Sequence, residues 1–375
     1  MHPNRLPGER LDPIASAPFL LIHLVPLLAI FTGITAQSIL IFAVTYWTRV
    51  FFITAGYHRY FAHRAFKTSR WFQLVLAVGA ISSLQKGVLW WSGHHRLHHR
   101  FTDTVSDAHS PIKGVLFSHI GWIITPEHDP TPTHAIADFA KYPELRFLDR
   151  FHHLPPIALA LGCLWWGGLP GLVVGFFAST VVLWHCTFLV NSMAHLWGTR
   201  RFATPDSSRN NALVAFLTMG EGWHNNHHHM PTAARQGLRW FEFDATFAIL
   251  RVLAMLRIVR DLKPHYPALT RTARLDEGAY DIGMFQFHWD KATTKVAAAT
   301  GRDDVDDVRV EFSLRADAAL AAARQLGRRT RYPAGSGPGA DDLEDGESTG
   351  ARAGVAPYAD GAGPDDVTGS VDASS

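Results

Sequence analysis

Cysteine is almost absent. Only Cys163 and Cys186 occur among 375 residues, and both sit in apolar runs. Two such thiols exclude a disulfide scaffold and a cysteine-type zinc site, and they read as small core residues. Net charge is low as well, +2 at pH 7, so composition gives no reason to invoke nucleic acid. No GxxxxGK or HExxH pattern occurs, which leaves an NTPase or a zincin without support. There is no repeat of solenoid period. Residues 1–17 carry Arg5, Glu9 and Arg10, and the apolar run that follows is too long for a cleavable signal. They read as a cytoplasmic leader feeding a membrane anchor.

Acidic residues are missing from four long apolar segments, about 18–36, 38–57, 155–172 and 173–195. A helix needs roughly 20 apolar residues to span a bilayer, so each is a candidate span. They pair as two hairpins whose tips, near Thr35–Gln37 and Gly167–Pro170, carry no charge. Lys and Arg lie at the other ends, so the positive-inside rule puts both termini and the remaining chain in the cytoplasm. Arg49, inside the second span, is expected to snorkel to the nearer interface. Segment 71–91 is apolar but carries Ser82, Ser83, Gln85 and Lys86, and is a poor span. Val115–Ile124 is too short to cross and suits an interfacial helix. Residues 238–260 read as one basic amphipathic helix bearing Arg239, Arg251, Arg257 and Arg260.

The division expected is a leader at 1–17, a membrane domain at 18–265, a cytoplasmic extension at 266–333 and a tail at 334–375. The tail holds nine acids against one Arg and almost no large apolar residue, so it cannot bury a core and is expected to be disordered.

What is abundant is histidine, 22 residues, half of them in four short places. His95, His98 and His99 stand at i, i+3 and i+4, and His224, His227 and His228 repeat the pattern. On a helix each triplet shares a face and offers three imidazoles toward one point. His58 and His63 are five apart, about 140° around an α-helix, and would not share a face on a straight one. They ligate two different metals or sit where the helix end unwinds. With His195 the count is nine, too many for one zinc and suited to two ions of higher coordination. Imidazole accepts zinc, copper, iron or nickel, so ligand type alone does not choose. His94 and His229 flank the triplets and read as groups that support the ligands from behind or lie at the surface. His109, His119, His152 and His153 read as ordinary polar residues. A single site needs every histidine group on one side of the membrane. Segment 71–91 therefore cannot span alone and is expected to be interfacial or buried.

At these residues the chain resembles the membrane-bound fatty acyl desaturases of the stearoyl-CoA desaturase type. The matching stretches are Thr54–His63, Trp91–His99, Ser118–Trp122, Asn191–His195 and Gly220–His229, within roughly 18–265. Three boxes in order, HX₄H, HX₂HH and HX₂HH, are highly specific. The resemblance implies an all-α integral membrane fold, with four spanning helices under a helical cytoplasmic cap that holds two irons. It implies iron ligands at His58, His63, His95, His98, His99, His195, His224, His227 and His228. Asn191 matches an asparagine that holds an iron-bound water, and Trp91 a tryptophan of the acyl tunnel. Animal members carry Arg-Asp where this chain has Gly93 and His94, at a place that touches the CoA head group. No His-Pro-Gly-Gly haem motif occurs, so electrons are expected from a separate ferredoxin, rubredoxin or cytochrome b5 type donor.

The activity implied is O₂-dependent desaturation of a long-chain fatty acyl thioester, giving a cis double bond at Δ9. An unactivated C–H bond yields to no ordinary acid or base, so the oxidising chemistry belongs to the metal cofactor. The alternative on the same centre is lipid hydroxylation. A membrane metal transporter is the remote alternative, and it is disfavoured because no acidic residue lies mid-span.

Overall fold

The computed structural model describes residues 4–265, apart from 7, 15 and 203. The chain divides into two units, Met1–Arg331 and Tyr332–Ser375, and every described residue belongs to the first. The expected extension at 266–333 and the acidic tail at 334–375 lie outside the described residues.

The described chain is almost entirely helical. An apolar helix α1, Ala17–Thr32, tightens at Pro26, whose ring cannot donate to the helical ladder. Thr35 and Ser38 form a reciprocal capping box that starts α2, Ala36–Ala62. Its first part, Ala36–Phe52, is α-helical, and its last ten residues, Ile53–Ala62, wind as a π-helix with every residue buried. Helix α3, Arg70–Ile81, is capped by Ser69 and packs on that π segment. The approach is close: a Cβ on Gly56 would lie 3.0 Å from the Leu76 carbonyl. Helix α4, Val88–Phe101, begins without a cap of its own. Its first N–H groups, from Leu89 and Trp90, donate to the Asp149 carboxylate at 2.9 and 3.0 Å, from helix α5, Pro143–Arg150.

Among the described residues, two helices are long and apolar enough to cross a membrane, Ala36–Ala62 and Leu154–Leu196. The second doubles back at Gly168, whose φ of 61° only glycine adopts without strain in this turn. Its arms are α6, Leu154–Pro170, and, after a π segment Gly171–Ala178, α7, Ser179–Asn191. The arms touch backbone to backbone: a Cβ on Gly171 would lie 2.4 Å from the Cys163 carbonyl. On α1 and α6, Leu24, Ile30, Phe31, Leu161 and Trp165 stay exposed, an apolar belt of the kind that faces lipid. Short helices α8, Ala212–Leu217, and α9, His224–His229, follow, then α10, Ala245–Met255.

Several expectations change. Arg49 does not snorkel. It is 1% exposed and donates to the Thr45 carbonyl at 2.9 Å, the Thr180 hydroxyl at 2.6 Å and Ser179 Oγ. The basic helix expected at 238–260 is only α10. Asp244 caps it by accepting from Phe247 N–H, and Glu242 takes the N–H groups of Leu238 and Arg239 before it begins. Beyond it Arg257 turns at φ 58°, and Val259–Arg260 pairs antiparallel with Lys67–Thr68. Only Arg251 of the four arginines lies on the helix. Segment 71–91 breaks into α3 and the start of α4, and twelve residues at 1.5 Å each fall well short of a bilayer core of about 30 Å. Within 115–124 there is a single π turn, Phe117–Gly121. The leader is docked: Glu9 is buried against Lys113, and Asp12 N–H donates to the Ile124 carbonyl at 2.8 Å.

Candidate metal centre

The π-helical end of α2 decides where its two histidines go. A π-helix closes i to i+5 hydrogen bonds, so residues five apart stack on one face. His63 N–H donates to the His58 carbonyl at 3.1 Å, and the two rings lie 4.8 Å apart. They meet at one point rather than serving two.

The triplets do the opposite. At about 100° per residue, i and i+4 lie ~40° apart, while i+3 falls to the far side of i. In α4, His95 and His99 turn one way and His98 the other. In α9, His224 and His228 stay together and His227 parts from them. The result is two clusters, His58, His63, His95, His99 and His227, and His98, His195, His224 and His228. Within each, the nearest ring nitrogens all lie within 4.8 Å of one another. So each triplet serves two points, not the single point its shared face implies.

These clusters fit metal ions. The Nε2 atoms of His63 and His95, of His58 and His227, and of His195 and His224 face each other at 2.9, 3.0 and 3.0 Å. Metal–imidazole bonds of about 2.0–2.1 Å put neighbouring nitrogens ~3.0 Å apart at right angles and ~3.4 Å apart at the tetrahedral angle. The spacing therefore suits five- or six-coordinate ions better than tetrahedral zinc. Nε2 of His228 is buried without a hydrogen-bond partner. Burial, and then the neighbouring imidazoles, hold His63, His95, His99, His224 and His227 well below the ordinary imidazole value, so they stand neutral and ready to ligate.

Carboxylates fix the rings from behind. Asp107 meets Nδ1 of His98 at 2.9 Å, Asp206 that of His228 at 2.9 Å and Asp103 that of His195 at 3.3 Å. Glu221 meets Nδ1 of His58. Such pairs set the tautomer and leave Nε2 as the free donor. Burial pushes the Glu221 carboxyl up, but His58 and Arg59 outweigh it and bring it down to about 2. Against the same cost of burial, His98 and His109 hold Asp107 well below the carboxylate range. Glycine makes room for this arrangement at one point above all: a Cβ on Gly222 would lie 2.0 Å from the Ala215 nitrogen.

Beside the clusters is a cavity of about 430 Å³. Trp91, His95, His109, Asn191, Gln85 and Thr187 are among its lining residues. The Trp91 ring stacks between Tyr57 and His95, at 5.2 and 5.1 Å. Its indole N–H donates to Gln85, whose amide donates in turn to the Thr187 hydroxyl at 2.9 Å. His94 lines the cavity but joins neither cluster, its Nε2 lying 3.3 Å from the Pro130 carbonyl. His229 stacks on Phe202 at 4.0 Å, also outside both.

Sequence reasoning missed the four carboxylates and His109. His109 is no ordinary polar residue: it is 5% exposed, its ring is 4.3 Å from that of His98, and burial pushes it down to about 3. Asp103 and Asp107, four apart just beyond the first triplet, and Glu221, three before His224, carried a local signal. Asp206 carried none.

The fatty acid desaturase family model matches residues 33–258. A probable chloroplastic lipid desaturase of Arabidopsis thaliana is 39% identical over 56% of this chain and 59% of its own length. An sn-1 stearoyl-lipid 9-desaturase of Anabaena variabilis is 40% identical over 56% of this chain and 78% of its own. An acyl-CoA C20 Δ5-desaturase of Anemone leveillei is 39% identical over 57% of this chain and 68% of its own. The chain belongs to the fatty acid desaturase family, and the relatives it matches are oxidoreductases of acyl chains.

Proposed function

We propose that the protein is an integral membrane oxidoreductase that uses two irons and O₂ to introduce a cis double bond, at Δ9, into a long fatty acyl chain. The observation that carries this reading is the pair of histidine clusters beside a cavity lined by Trp91 and Asn191. His58, His63, His95, His99 and His227 would hold one ion, and His98, His195, His224 and His228 the other. Bound there, the irons supply the O₂ reduction that breaks unactivated C–H bonds. Overall, two hydrogens leave adjacent carbons, and with O₂, two electrons and two protons they end as two waters.

The chain's own residues do the positioning. Asp103, Asp107, Asp206 and Glu221 fix the tautomer of the imidazoles they back and keep Nε2 aimed. The cavity presents one C–C pair to the centre, with Gln85 and Thr187 fixing the Trp91 ring on its wall. Asn191, on the cavity lining, would hold a water there. A dry pocket distinguishes neighbouring methylenes only by shape and depth, since one methylene is worth just about 1–3 kcal/mol.

Four spans, two of them α6 and α7, under a helical cytoplasmic cap, all within a membrane domain over 18–265, complete the reading, with both termini on the cap side. Electrons come from a separate donor protein. The relatives named above act on acyl-lipid and on acyl-CoA, and the carrier here is one of these. The test is fatty acid profiling of cells that express wild type beside His98→Ala, His228→Ala, with a competent electron donor. A cis-monoene with wild type alone is expected. A hydroxylated chain as sole product overturns the reaction, and unchanged profiles overturn the function.

A further inference from the structure

The carboxylates are divided unequally. In the four-histidine cluster His98, His195 and His228 each have an aspartate on Nδ1, namely Asp107, Asp103 and Asp206. In the five-histidine cluster Glu221 on His58 plays that part, and its charge is offset by Arg59 at 3.1 Å. Arg59 is itself shared with Asp244 at 3.0 Å.

Among the described residues no lysine or arginine bonds to the three carboxylates, and Lys113, which acts on Asp107 through space, is itself paired with Glu9. Asp103 accepts from Ser207 N–H at 2.6 Å and its hydroxyl at 2.7 Å. Asp107 accepts from Asp103 N–H and His109 N–H, both at 3.2 Å. Asp206 accepts from Ser208 N–H at 3.0 Å and the Thr204 hydroxyl at 2.9 Å. Amides and hydroxyls orient a carboxylate without neutralising it. The three are also mechanically joined, since Ser207 ties the segment that carries Asp206 to Asp103.

An anionic partner on Nδ1 raises the basicity of Nε2 and the affinity of the metal it binds. Three such partners with no arginine give one cluster a local charge that the other does not have.

We propose that Asp103, Asp107 and Asp206 are positioning residues that make the two metal sites inequivalent, the four-histidine site holding its ion more tightly. The shortage of one imidazole is thus compensated by charge behind the ring. The inference rests on the metal-binding part of the function proposed above and not on its substrate.

The experiment uses full-length protein in detergent, loaded with ⁵⁷Fe and challenged with a chelator, with iron counted by mass spectrometry and the two sites followed by Mössbauer spectra. His63→Ala, which cripples the five-histidine site, assigns the signals. Wild type is expected to lose its irons in two phases, the five-histidine site first. Asp107→Asn and Asp206→Asn should each weaken the other site by about 10- to 100-fold and reverse the order. Asp206→Glu should restore it in part. Glu242→Gln, which removes a buried carboxylate paired with Arg201 rather than a histidine, should keep the wild-type order. Loss of both irons in one phase from wild type, or equal weakening of both sites in the Asn variants, overturns the inference. Wild-type protein that takes up no iron overturns the metal reading itself.

Discussion

His63 N–H donates to the carbonyl of His58, five residues back, and this one π-type bond sets both imidazoles on the same cluster. Wound as an α-helix, the segment would turn them about 140° apart and split the pair. Inserting one alanine after Ala62 sets the two histidines six apart, a spacing that neither an α- nor a π-winding keeps on one face, and should therefore move His63 off the centre. The expected outcome is loss of iron from the five-histidine site with the four-histidine site still loaded, read as one iron per chain in place of two.

Gly222 leaves no room for a side chain. Gly222→Ala places a methyl carbon on backbone atoms of Ala215 and Asn211, at 2.0 and 2.4 Å, and these cannot swing away. The variant should lose about 3 kcal/mol, the upper end for overpacking, and shed iron from both sites because Glu221 and His224 flank it. Thermal unfolding together with iron content checks this.

Gln85 joins Trp91 to Thr187 on the cavity wall. Gln85→Leu leaves a buried indole N–H and a hydroxyl without that partner, at a cost of roughly 1–3 kcal/mol, and frees the ring to tilt. Iron content should hold while turnover falls about tenfold or more and the double-bond position spreads to neighbouring carbons. Mass spectrometry of the monoenes reads out both.

Arg49 is a buried cation held by hydroxyls rather than a carboxylate. Those hydroxyls keep partners without it: Ser179 Oγ also donates to the Phe176 carbonyl at 2.9 Å, and Thr180 Oγ1 to the same carbonyl at 2.7 Å. Removing the charge strands no polar atom and relieves its desolvation. Arg49→Met should stay within about 1 kcal/mol of wild type by thermal unfolding in detergent.

The five neutral histidines make the metal-free protein acid-sensitive. Their folded pKa values lie below the unfolded value near 6.5, so the unfolded chain binds more protons in that window. Stability is then full above about pH 6.5 and falls as pH drops below it. Melting curves of the apo-protein from pH 8 to pH 5 should show a steady decline, and added ferrous iron should shift that decline to lower pH.

The nine histidines were legible in the sequence because helical spacing and repetition mark them without any long-range knowledge. What spacing could not give is how a helix is wound or which way a shared face is divided. The π winding of Ile53–Ala62 and the partition of His98 and His227 depend on packing against α3 and on the neighbouring helix. Asp206 was invisible because it reaches His228 from 22 residues away, across helix α8, a contact made only by tertiary structure. The overlong helix at 238–260 was an error of local reading. Its pattern of arginines among apolar residues is helical, but Asp244 caps the chain six residues later than the pattern begins. Arg49 followed the snorkelling rule in sequence and broke it in the fold, because Ser179 and Thr180 on α7 offered it partners.

The central claim is that the histidine centre activates O₂ to desaturate an acyl chain. The most direct measurement is turnover of reduced, iron-loaded protein with ¹⁸O₂ and a saturated C18 substrate, supplied both as the CoA thioester and in phospholipid. The account predicts a cis-monoene from at least one of them, all the label in water and none in the lipid. Label in the acyl chain, or O₂ consumption with no change in the chain, would contradict it.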